Sequence, residues 1–147
     1  MTKLIKIRQL SFVEIMLLAR VALLLTTVSV TLRILPFRVI ARMVSTLGTY
    51  RTRRTKTSQQ SIEKVVWAVS LLSRYIPGAT CLTQALTTMV LLGRRGYPAS
   101  LRFAVAKDER GKLQAHAWVE NERQVIIGDL KDLSRFVVLS PSKEITL

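Results

Sequence analysis

The sequence predicts an α+β fold: helices first, then an antiparallel sheet. Three observations predict it. Between residues 11 and 94, apolar side chains recur mainly at helical spacing. After residue 100 they alternate with polar or small ones, which is strand spacing. The two kinds of segment are separated along the chain rather than interleaved. With 147 residues, 49% of them hydrophobic, the chain has material for one core of common size.

The first helix opens at Ser11-Phe12-Val13-Glu14, which has capping-box spacing. It should stop near Pro36, because proline disfavours helix at the residue before it. Its apolar character is nearly all-round, so burial on most sides is expected. A second helix is expected over residues 37–47, with Ile40, Met43, Val44 and Leu47 on one face and Gly48 as its stop. Residues 49–60 read as a polar loop carrying Arg51, Arg53, Arg54 and Lys56. It is either a solvated surface segment or a docking site for an acidic peptide or protein. A third helix fits residues 61–76, broken by Pro77-Gly78. A fourth starts close to Cys81 and ends around Gly93 to Gly96. Residues 101–105 form a first strand, and Asp108-Glu109-Arg110-Gly111 a turn. Residues 113–120 form a second strand, antiparallel to the first, and Asn121-Glu122 turns again. Residues 125–127 form a third strand and residues 136–139 a candidate fourth, as a meander.

Charge divides the chain. The formal net charge is +14, and residues 1–60 carry +10 of it. Such a field favours an acidic partner, a membrane surface or nucleic acid. The basic segments hold no nucleic-acid motif, so no nucleic-acid partner is expected. The longest uncharged run in the N-terminal part, residues 21–32, lies between Arg20 and Arg33 and is short for a membrane span. It ends in Leu32-Arg33-Ile34-Leu35-Pro36, a poor signal-peptide cleavage site. The run reads as a buried or interfacial helix. The expectation is a cytoplasmic protein whose basic part is compatible with peripheral membrane contact. Residues 1–60 form a basic helical extension and residues 61–147 the core, together one compact unit.

One Cys and one His leave no intramolecular disulfide and too few Cys/His ligands for a metal site, so neither metal nor cofactor is expected. No glycine-rich phosphate loop and no HExxH motif is present. Cys81 follows Pro77-Gly78-Ala79-Thr80 and opens a helix. Unpaired N–H groups and the helix dipole there stabilise a thiolate and can hold an oxyanion. The plainer reading of a lone Cys among apolar residues is a small core residue. His116 lies mid-strand, sharing a face with Gln114, Trp118 and Glu120; the plainer reading is a half-exposed strand histidine. Yet a thiol nucleophile needs an imidazole to take its proton and pass it to the leaving amine. A third group would fix the imidazole tautomer. Asp129, just past the third strand, is the candidate, with Asp132 and Glu120 as alternatives. Otherwise Asp129 is a turn residue.

Three stretches carry a resemblance: Cys81-Leu82-Thr83-Gln84-Ala85-Leu86, Leu91-Leu92-Gly93-Arg94-Arg95-Gly96 and His116-Ala117-Trp118-Val119-Glu120. Together they resemble the lasso-peptide leader peptidases, the peptidase half of the lasso-peptide B protein, within the transglutaminase-like superfamily. The resemblance spans about residues 60–130, and Leu35-Pro36-Phe37-Arg38 is similar to that family's N-terminal extension. It implies a papain/transglutaminase-like core, with Cys81 as nucleophile, His116 as base and Asp129 as orienting acid. It also implies the substrate, a ribosomal precursor peptide cut between leader and core before an ATP-dependent lasso cyclase closes the ring. A separate small leader-recognition protein would present the precursor, as in the split form of the family. The basic N-terminal part would then dock that protein or the leader. One departure is visible: family members often carry Asp-Gly where this chain has Asn121-Glu122-Arg123. Three rivals stand beside this reading: an acyltransferase using the same thioester, a non-enzymatic scaffold or membrane-surface protein, and a nucleic-acid binder suggested by charge alone.

Overall fold

The structure is a computed structural model that describes residues 10–36, 38–39, 42 and 58–138. Helix α1 spans Phe12–Ile34. The carboxylate arm of its capping box is in place, with the Ser11 N–H donating to Glu14 Oε2 at 3.0 Å. Pro36 lies two residues beyond its end, as the proline rule requires. Helix α2 spans Gln59–Ser73, so Gln59 and Gln60 belong to a helix rather than to the polar loop, and the helix ends three residues short of Ile76. Helix α3 spans Cys81–Arg94. Arg38, Val39 and Arg42 are helical. The rest of the helix expected over residues 37–47, and most of the basic loop after it, lie outside the described residues.

Strands β1 (Ser100–Lys107), β2 (Leu113–Asn121), β3 (Gln124–Ile127) and β4 (Val137–Val138) form one antiparallel sheet in the order β3-β2-β1-β4. The first three make the expected meander. The fourth departs from it: a single 3-10 turn at Leu133–Arg135 carries the chain across, and β4 pairs with β1. Asp108 closes the β1–β2 turn, its Oδ1 accepting from the N–H groups of Arg110 and Lys112 at 2.9 and 2.8 Å. β3 bulges between its pairings with Val119 and Glu120, which increases the local twist.

The helices pack on one face of the sheet. Leu17, Val21 and Leu25 of α1 meet Ile62, Val65 and Val69 of α2 and Leu86, Met89 and Leu92 of α3. Leu101, Ala117, Val119 and Ile127 close this core from the sheet. The opposite face holds a second, smaller cluster of Ala104, Ala106, Trp118 and Phe136. Helix α1 departs from the expected all-round burial. Leu17, Val21, Leu25 and Ser29 are buried at i, i+4 spacing. Phe12, Met16, Leu23 and Ile34 lie exposed on the outer side. Among the described residues its main contacts are with α2, α3 and the segment between them, so one stripe suffices to complete the core. By length and composition α1 could cross a membrane, with mean hydropathy 2.1 over its most apolar 18 residues.

Candidate active site

The segment before α3 is folded onto that helix's first turn. Thr80 is the N-cap, its Oγ1 accepting from the Thr83 N–H at 3.4 Å. Gly78, at φ +83°, turns its carbonyl to accept from Thr83 Oγ1 at 3.4 Å and from Ser29 Oγ of α1 at 3.5 Å. Gln84 donates its side-chain amide to the Ala79 carbonyl at 3.5 Å. Cys81 is therefore the first residue of a helix whose entry is held from three sides. It is half-buried and not part of a disulfide. Among the described residues the N–H groups of Cys81 and Leu82 have no acceptor, the usual state of the first turn. Donors so placed can hold an anion or an oxyanion.

His116 sits on β2 opposite Ala104 of β1. Its imidazole is half-buried between Trp118 (ring centroids 6.1 Å apart, stacked) and Phe136 (5.8 Å, tilted). Nε2 lies 2.6 Å from the Gly128 carbonyl oxygen. A carbonyl only accepts, so Nε2 carries the proton and Nδ1 keeps its lone pair for a base's work. Gly128, at φ +85°, reaches this place because it lacks a side chain. A Cβ there would lie 2.8 Å from the Ala117 carbonyl oxygen and 2.9 Å from Trp118 Cβ.

Glu120 supports this wall. Its two oxygens accept from Trp118 Nε1 at 2.9 Å and Arg102 Nε at 3.2 Å, which fixes the indole against the imidazole. Sequence reasoning placed Trp118 on the His116 face without a role, and it did not single out Phe136 or the Gly128 carbonyl. The glycine before Asp129 was the available signal for the last of them.

The three candidate residues are not joined by hydrogen bonds. Cys81 packs against the core between helices and sheet, whereas His116 lies on the sheet face that carries the second cluster. No hydrogen bond joins Cys81 Sγ to the imidazole among the described residues. Asp129 follows directly on the residue that binds His116, but it is exposed, and among the described residues no hydrogen bond or ion pair joins its carboxylate to the ring. Asp132 pairs with Arg135 at 3.1 Å instead. Among the described residues no group of three His, Cys, Asp or Glu could hold a metal ion.

A family model for the transglutaminase-like superfamily matches residues 22–141, from within α1 to beyond β4. The chain belongs to the transglutaminase-like superfamily. No curated protein and no solved structure matches it significantly. Superfamily members are typically cysteine-based enzymes with a papain-like peptidase or acyltransferase fold. A cysteine opening a helix beside an antiparallel sheet is consistent with that class.

Proposed function

We propose that the chain is a cysteine peptidase that removes the leader from a ribosomal lasso-peptide precursor. The observation that carries the enzymatic part is Cys81 at the start of α3, within a superfamily domain and beside unpaired N–H groups. The leader-peptidase part rests on the resemblance of the Cys81 and His116 segments to that family. His116 Nδ1 accepts the thiol proton as Cys81 Sγ attacks the scissile carbonyl. The N–H groups at the helix start receive the oxyanion. Collapse breaks the C–N bond, and the imidazolium gives its proton to the departing amine, the new core N-terminus. Water, deprotonated by His116, then hydrolyses the thioester and frees the leader as a carboxylic acid. The two side chains lie on different faces of the sheet, so this reading requires a rearrangement that brings the imidazole to Sγ, more than the tightening of a long hydrogen bond. Asp129, beside the carbonyl that holds the ring, is the proposed orienting acid.

The proposed partners are the precursor, a small leader-recognition protein that presents it, and a cyclase that consumes the core. The proposed setting is the cytoplasm, with peripheral membrane contact through the outer face of α1. The decisive experiment gives purified protein its precursor and recognition protein and weighs the products. Leader acid and free-amine core are expected. Leader joined to an added amine would make the protein an acyltransferase. An intact precursor would favour a non-enzymatic scaffold, which the separation of Cys81 and His116 also allows.

A further inference from the structure

A cavity of about 300 Å3 lies between α1 and the segment that leads into Cys81. Ligand sites begin at about this size. Val30, Ile76 and Pro77 supply an aliphatic wall, Thr26 a hydroxyl and Tyr75 an aromatic rim that is 75% exposed. Arg33 supplies a cation. Its Nη2 lies 2.7 Å from where a Cβ on Gly78 would stand, so the guanidinium rests against the backbone three residues before Cys81. Arg33 is exposed and has no ion-pair partner among the described residues. Ser29, in the same wall, bonds to the Gly78 carbonyl, which also accepts from Thr83 in the first turn of α3. The cavity and the cysteine thus share one hydrogen-bonded segment.

We infer that this cavity is a substrate subsite for a peptide bearing a carboxylate next to an apolar side chain. The apolar side chain enters the aliphatic pocket, and the carboxylate pairs with Arg33 at its mouth. The positive charge of the chain draws an acidic peptide towards it. The pocket's size suits one side chain. The inference deepens the peptidase reading, on which it rests only for placing the peptide beside Cys81.

The test uses the full chain as a Cys81→Ala variant, so binding is read without turnover. Acetyl-Leu-Glu-amide and acetyl-Leu-Gln-amide are titrated separately while backbone amide resonances are followed by NMR. Saturable shifts are expected at residues 26–33 and 75–79, with the Glu peptide about three- to five-fold tighter, the range of one exposed ion pair. Arg33→Gln, at an exposed position, should abolish that preference. Equal affinity for the two peptides, shifts elsewhere, a preference that survives Arg33→Gln, or inorganic phosphate producing the same shifts would each overturn the inference. Peptide binding without precursor cleavage would refute the peptidase reading and leave the subsite standing; cleavage without the Glu preference would do the reverse.

Discussion

Around His116 one glycine and one glutamate do what the candidate acid does not. The ring's proton is on Nε2 because a backbone carbonyl at 2.6 Å can only accept it. The ring's plane is set by Trp118, which Glu120 holds through its indole N–H. Glu120→Gln keeps the shape but loses the charge and one of the two acceptor oxygens. We predict a loss of about 1–2 kcal/mol, read as a melting temperature lower by several degrees. An unchanged melting temperature would mean that Glu120 is a spectator. At this scale the sequence was legible for residue types and not for partners. Alternation placed His116, Trp118 and Glu120 on one face, and the structure agrees. The carbonyl of Gly128 could not be foreseen, since backbone direction at a positive φ leaves only the glycine as its trace. Nor could the faces presented to Cys81 and His116, which depend on where the helices dock.

Elements were read well where local chemistry sets them. The Ser11 and Thr80 starts, the Pro36 stop and the Asp108 turn all follow from short-range rules. Two elements escaped that logic. β4 is two residues long and pairs with β1, a long-range choice that no local pattern encodes. α1 is apolar around most of its surface, yet only the stripe facing α2 and α3 is buried. The β2–β3 turn carries a cost that its sequence announces. Glu122 and Arg123 both take left-handed backbone, at φ 48° and 67°, where hairpins prefer Asn-Gly. Arg123→Gly should therefore stabilise the protein by about 1 kcal/mol and raise its melting temperature. A lower melting temperature would show that the Arg123 side chain contributes more than its backbone costs.

Across the whole molecule, charge and chemistry occupy different parts of the chain. Residues 1–60 hold +10 of the +14, while Cys81 and His116 lie in the later part, which carries the remaining +4. If the basic part draws in an acidic leader or the recognition protein, affinity should fall steadily as salt rises from about 0.05 to 0.5 M, because screening shortens the reach of exposed charges. Affinity that ignores salt would contradict that role. The central claim is that Cys81 and His116 act as one catalytic unit, and cleavage rates of a small variant set test it most directly. Precursor cleavage would be followed by mass for the parent, Cys81→Ala, His116→Ala and the double variant. The account predicts that each single variant loses at least about 100-fold and that the double variant is scarcely worse than either, as for groups that work together. A Cys81→Ala protein that cleaves at the parent's rate would contradict it.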